Sequence, residues 1–183
     1  MGERSKGTQL LMQSALMLTI IIVLGFIPPI SLGFIPVPVV LQNLGIMLAG
    51  VLLPFSYSLL TVGGFLALGL VGVPVLAGMR GGFPIFMGPT GGFLVGYLAA
   101  AIILPLVFKN QQKSLIINII KMFLAGIIPM YAFGIIGMAL NMHITLIHAF
   151  ELNMVFLPVD LCKSLLAVLV YERIRIGSFV KSI

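Results

Sequence analysis

An all-α integral membrane protein of six spans is the fold class this sequence predicts, on three observations. Hydrophobic residues fill 61% of its 183 positions and charged residues only 8%, where a soluble domain is about a quarter charged. Prolines, glycine clusters and charges cut the chain into six apolar runs, and each crossing of a bilayer takes about 20 predominantly apolar residues. The net charge of +6 comes from lysines and arginines that collect at the ends of those runs, a placement that suits a membrane boundary rather than a nucleic acid.

The runs fall near residues 9 to 27, 38 to 54, 56 to 72, 91 to 108, 115 to 138 and 155 to 173, and residues 1–183 form a single six-helix domain with no room for a soluble one. The first follows Arg4 and Lys6 and ends in Phe26-Ile27-Pro28-Pro29 without an A-x-A cleavage site, so it reads as a retained span rather than a signal peptide. The second opens after Pro36 and Pro38. The fourth carries Gly92, Gly96 and Ala100 at every fourth position, a ridge of small residues that lets a neighbouring helix come close. The sixth has Pro158 in its first turn and stops at Arg173.

An even number of spans puts both termini on one side. Arg4, Lys6, Lys109, Lys113, Arg173, Arg175 and Lys181 all fall in the two tails or the fourth-to-fifth connection, whereas the opposite connections hold only Arg80. The basic face is expected to be cytoplasmic, with Lys121 inside the fifth span near that end. On the outer side, Val71 to Gly92 is rich in glycine and proline yet also in apolar residues. Irregular backbone at membrane depth survives only where protein or a water-filled cavity shelters it, so this segment is expected to fold back as a cap over an outer cavity. A second outer connection, Asn141 to Asn153, carries His143, His148 and Glu151.

Asp160 and Lys163 are the candidates for chemistry. A charge at the centre of a helix in hydrocarbon costs about 2.5–3.5 kcal/mol on insertion scales, so two of them need a partner or a task. They lie three residues apart on one helix face, about 20 Å outward from Arg173, with Asp160 near the helix N-terminus where the macrodipole favours a negative charge. Their plainer reading is a self-neutralising ion pair between helices. Gln42 and Asn43 enter the second span near the outer face, and their amides offer donors and acceptors. Arg80 stands in the cap with a planar fork suited to a carboxylate. Thr90 and Tyr97 are weaker candidates, and Phe83 and Phe86 can cover a ring.

Catalysis fits poorly. No phosphate-cradling G-x-x-x-x-G-K-[ST] occurs, His143 and His148 are wrongly spaced for one helix face, and no H-E-x-x-H is present. Neither a metal site nor an activated nucleophile emerges, and Cys162, the one cysteine, reads as a packing residue.

The motifs Pro36-Val37-Pro38-Val39-Val40-Leu41-Gln42, Gly72-Val73-Pro74-Val75, Gly81-Gly82-Phe83, Gly88-Pro89-Thr90-Gly91-Gly92-Phe93-Leu94 and Pro158-Val159-Asp160-Leu161-Cys162-Lys163 make the chain resemble the BioY family, the biotin-binding membrane components of energy-coupling-factor (ECF) transporters. It departs from the common pattern at Val40, Leu76 and Val159. The resemblance implies a six-helix fold with a capped outer cavity and high-affinity biotin capture from outside. It also implies delivery with a partner transmembrane subunit and two ATPase subunits, with biotin as cargo and no cofactor. The family docks through the first helix on alanines four residues apart; here the corresponding face runs Gly7, Leu11, Ala15, Thr19, Val23, so Ala15 and Thr19 are the docking candidates. The residues themselves leave two alternatives open, another small amphipathic anion such as lipoate, or a structural membrane protein with a neutralised ion pair.

Overall fold

Hydrocarbon offers backbone groups no water, so apolar runs of this length satisfy their own N–H and C=O groups as helices. The computed structural model describes residues 2–31, 33, 37–110 and 114–180, with side chains for 6–31, 33, 37–110 and 114–175. Pro36, Lys113, Lys181 and the Arg4 side chain therefore lie outside the described residues. The elements are α1 (Gly2–Phe26), α2 (Gln42–Leu52), α3 (Phe55–Leu70), α4 (Phe83–Phe86), α5 (Gly91–Phe108), α6 (Leu115–Met122), a π-helical turn (Phe123–Ile127), α7 (Ile128–Met142), α8 (Leu146–Met154) and α9 (Leu157–Val180). Among the described residues no strand forms, only isolated antiparallel bridges of Ile30 with Val39 and Leu76 with Arg80.

Lys6–Phe26, Gly91–Phe108 and Leu115–Met142 are each long and apolar enough to cross a bilayer, and α8 with α9 makes a fourth stretch bent by 60°. The apolar helices α2 and α3 are shorter, and the whole agrees with six crossings. The expected helix start at residue 38 is corrected to Gln42. Pro38 has no N–H to donate, and Val39 exchanges both backbone bonds with Ile30 at 2.9 and 3.0 Å instead of entering a helix. The connection expected over Asn141 to Asn153 is largely helical, because α7 runs on to Met142 and α8 begins at Leu146, its N-terminus capped by the Thr145 hydroxyl accepting from the His148 N–H at 3.2 Å.

Two prolines shape the bundle. Pro129 cannot donate to the Ala125 carbonyl, and the turn before it widens so that the Ile128 N–H reaches back to the Phe123 carbonyl, five residues away. Pro105 inside α5 leaves the Ala101 carbonyl without its helical donor. The buried Ser58 hydroxyl of α3 donates to that carbonyl at 3.0 Å, so the proline's missing bond becomes a link between helices. Ser58→Ala is expected to lower stability by about 1 kcal/mol in an unfolding titration. The loss shrinks in a Pro105→Ala background, where a backbone amide replaces the hydroxyl; an equal loss in both backgrounds would refute the account.

The glycine ridge of α5 packs on α7. A Cβ at Gly92 would stand 2.2 Å from the Phe133 carbonyl oxygen, and one at Gly137 would stand 2.5 Å from the Gly92 Cα, so the two backbones touch only because both positions lack side chains. Beneath that crossing Met47, Ala101, Leu104, Met122 and Val168 form a fully buried core. Lys121 reaches out of the fifth crossing to the Asn110 carbonyl at 3.1 Å, its ammonium 5.7 Å from the centre of the Phe108 ring, the behaviour of a long cation near a membrane boundary.

Candidate functional site

At the end of the bundle away from Lys109 and Arg175, the starts of α2, α5 and α9 surround a cavity roofed by the segment between α3 and α5. It holds about 720 Å³ of atom-free space including its mouth, of which about 70 Å³ is open to the centre of a water molecule. The roof is a tight hairpin in which Leu76 and Arg80 exchange backbone bonds at 2.9 and 3.1 Å. Gly78 turns it with φ +74°, a conformation glycine adopts at little cost, and its N–H donates to the Gly25 carbonyl of α1 at 3.0 Å.

Asp160 sits in the first turn of α9, just past Pro158, and it is buried. Its Oδ1 accepts from the Lys163 Nζ at 2.8 Å and from the Asn43 Nδ2 at 2.7 Å. Its Oδ2 accepts from the Tyr131 hydroxyl at 2.8 Å. Lys163 donates further to the Val40 carbonyl at 2.7 Å and the Asn43 Oδ1 at 3.1 Å, so all three of its N–H groups are engaged. Three crossings and the chain before α2 thus meet on one ion pair. A carboxylate with two oxygens has about four acceptor positions, and three are used here, leaving one on Oδ2.

Gln42 lines the cavity but its role differs from that of a free amide. Its Nε2 donates to the Val75 carbonyl of the roof at 2.6 Å and to the Ile21 carbonyl of α1 at 3.2 Å. That pins the amide with its nitrogen toward two carbonyls and leaves Oε1 without a protein donor among the described residues. Gln42 is therefore a clasp joining α1, α2 and the roof, with one acceptor to spare.

Arg80 lines the mouth and is exposed; its Nε donates to the Ala77 carbonyl at 3.0 Å, which holds the side chain at the roof. Thr90 and the buried Tyr97 also line the cavity, the Thr90 hydroxyl making only a long 3.4 Å contact to the Ile85 carbonyl. Phe83, expected to cover a ring, is 58% exposed and stands outside the lining, where the aromatic walls are Phe93, Tyr97 and Phe156. Phe83 opens the short α4, and that turn directs it away while carrying Ile85 inward to the lining. Ala15 and Thr19 are exposed on the outer face of α1, with the Thr19 hydroxyl folded back onto the Ala15 carbonyl at 2.9 Å.

Sequence reasoning missed Tyr131, the Val40 carbonyl and the residues 37–39 that form one wall. A tyrosine in an apolar run was a visible signal, since a buried phenol usually finds a partner; a backbone carbonyl leaves no mark in a sequence. Among the described residues no cluster of histidine, cysteine and acids can hold a metal ion.

The arrangement agrees with known proteins. The sequence profile described as the BioY family matches residues 1–178. The Biotin transporter BioY of Lactococcus lactis subsp. cremoris (strain MG1363) is 40% identical over 166 residues, covering 88% of each chain. The Biotin transporter BioY of Rhizobium etli is 40% identical over 178 residues, covering 93% of this chain and 95% of its own. A crystal structure at 2.1 Å of the S-component for biotin from an ECF-type ABC transporter superposes with a TM-score of 0.91 at 38% identity, over 96% of this chain and 94% of that one. With a fold, a length and a profile match of this extent, the chain belongs to the BioY family.

Proposed function

We propose that this chain is the high-affinity biotin-binding subunit of a vitamin-uptake transporter, taking biotin from the outer side and delivering it inward with an ECF transmembrane subunit and two ATPase subunits. The observation that carries the reading is the roofed cavity in which a buried acid, its lysine and two amides converge. Biotin presents two ureido N–H groups and a carbonyl, an apolar thioether ring and chain, and a terminal carboxylate. The spare acceptors of Asp160 Oδ2 and Gln42 Oε1 suit the N–H groups. Phe93 and Phe156 suit the ring, and the Thr90 hydroxyl suits the ureido carbonyl. Arg80 suits the tail carboxylate better than Lys163, whose three N–H groups already have acceptors.

Biotin is cargo here, not a cofactor. The chain carries no phosphate-binding loop of its own, so ATP hydrolysis belongs to the partners. Docking of the transmembrane partner on Ala15 and Thr19 is supported by their exposure on α1. Both termini face the cytoplasm, since Lys6, Lys109, Arg173 and Arg175 gather at the end opposite the cavity.

Equilibrium binding by the purified full chain tests the reading. Biotin and desthiobiotin are expected to compete at low concentration and lipoate about a hundredfold more weakly, because lipoate lacks the ureido group and leaves buried acceptors unpaired. Biotin methyl ester loses affinity against wild type but little against Arg80→Ala, whose tail contact is already gone. Lipoate binding as tightly as biotin reassigns the ligand, and no binding by any of them removes the function.

A further inference from the structure

The roof is fastened at its base and at its tip to different helices. At the base the Gly82 N–H donates to the Gly69 carbonyl of α3 at 2.7 Å, so the roof is hinged on the helix it follows in the chain. At the tip the Gly78 N–H donates to the Gly25 carbonyl of α1, and the Gln42 amide bonds the Val75 carbonyl of the roof and the Ile21 carbonyl of α1 together. Yet α1 gives no side chain to the cavity lining. A helix remote from the guest therefore holds the far end of its cover.

Gly25 makes that fastening possible. It lies within helical α1, a conformation in which alanine is the better residue. A Cβ there would stand 2.3 Å from the Gln42 Nε2 and 2.8 Å from the Val75 carbonyl oxygen, so it is the closed roof, and not the helix, that excludes alanine.

The same helix is weakly embedded. In its apolar stretch 17% is buried, against 50% in Gly91–Phe108 and in Leu115–Met142. It meets α2 where a Cβ at Gly45 would stand 2.9 Å from the Ile21 Cγ1 and 3.2 Å from the Ile21 Cα. Ile21 is fully buried, and that contact has an arm on either side. Gly25 lies about 6 Å outward of Ile21 and Ala15 about 9 Å inward. A tilt of about 10° on the contact carries Gly25 about 1 Å, enough to take a hydrogen bond of ordinary length out of range. Thr19, exposed, is on the helix face opposite Ile21, so pressure on Ala15 and Thr19 swings Gly25 away from the roof.

We propose that α1 is a lever for the roof, with Ile21 on Gly45 as its pivot and Gly25 as the seat of its latch. Gly25 and Gly45 are then positioning residues that set how long biotin is held, although neither lines the cavity. The inference rests on the biotin reading above and extends it. A partner seated on Ala15 and Thr19 and a roof closed over biotin oppose each other through α1, and each weakens the other by the same factor.

Stopped-flow biotin kinetics on the purified full chain, with electron-resonance distances between spin labels on Met79→Cys at the roof tip and Leu106→Cys on α5 in a Cys162→Ser background, test this. Gly25→Ala and Gly45→Ala are each expected to speed biotin release about tenfold with association nearly unchanged, and to lengthen or broaden the roof distance in the chain without biotin. Either variant carries the test, since both act through α1. Ile21→Ala added to Gly45→Ala makes room at the pivot and restores most of the slow release. Gly64→Ala, whose Cβ meets open space on α3, leaves both readouts as in wild type. An unmoved roof in Gly25→Ala and Gly45→Ala overturns the proposal, as does release accelerated equally by Gly64→Ala. A wild-type chain that binds no biotin while the roof still moves in the variants removes the biotin reading and leaves the lever standing.

Discussion

Asp160→Asn is expected to abolish biotin binding and to cost about 3–5 kcal/mol of stability, because it strands the buried Lys163 ammonium without its counter-charge. The ammonium would keep the Val40 carbonyl, the Asn43 amide oxygen and at most an amide oxygen at position 160 as acceptors, and none of them carries a full negative charge. Removing both charges behaves differently. A buried ion pair replaced by apolar groups of similar volume is often neutral in stability, so Asp160→Leu with Lys163→Met recovers much of the loss while biotin binding stays absent. Unfolding titrations and radiolabelled biotin binding on the single and double variants separate the two roles. A double variant that still binds biotin tightly would remove this pair from the site. A double variant as unstable as the single one would mean that the Tyr131 and Asn43 bonds, and not the charges, hold the three crossings together.

Gln42→Leu is expected to weaken biotin binding about 10- to 100-fold, mainly through faster release, since it frees a roof carbonyl and costs about 1–3 kcal/mol for the buried group left unpaired. The Val75 carbonyl accepts from Gln42 at 2.6 Å, and without that donor the Gly78 to Gly25 bond is, among the described residues, the one that still joins hairpin backbone to α1. Gln42→Glu distinguishes a clasp from a ligand contact. It preserves an oxygen for the ureido N–H groups but points a second oxygen at two carbonyls, so the clasp breaks while the acceptor survives. Stopped-flow release of biotin is expected to be fast in both variants. Slow release from Gln42→Glu would show that the roof is held shut by something else.

Much of the site was legible in the residue order. Asp160 and Lys163 announced themselves by cost, as two charges in an apolar run, and the structure brings them together as the i,i+3 spacing required. The small-residue ridge of α5 foretold a close crossing without naming α7 as its partner. The place of Phe83 was not legible, because an aromatic in a cap is equally able to face a cavity or the outside, and only the turn of α4 sets it off the lining. The start of α2 misled for a related reason. Residues 38–41 are as apolar as a helix, but their hydrogen bonds go to Ile30 and to Lys163, partners 9 and 123 residues distant for Val39 and Val40 respectively.

By itself the sequence determined that this chain lives in a membrane as a bundle of helices, that its cations lie together at one end, and that a charged pair lies near the other. Those facts follow from transfer free energies and helical periodicity, which depend on residue type and spacing alone. The tertiary structure decided that Tyr131, Asn43 and the Val40 carbonyl complete the pair and that Gln42 ties the roof to α1. Such partnerships join residues far apart in the chain through hydrogen bonds a few ångströms long, and no local pattern records which distant groups folding will bring within that reach.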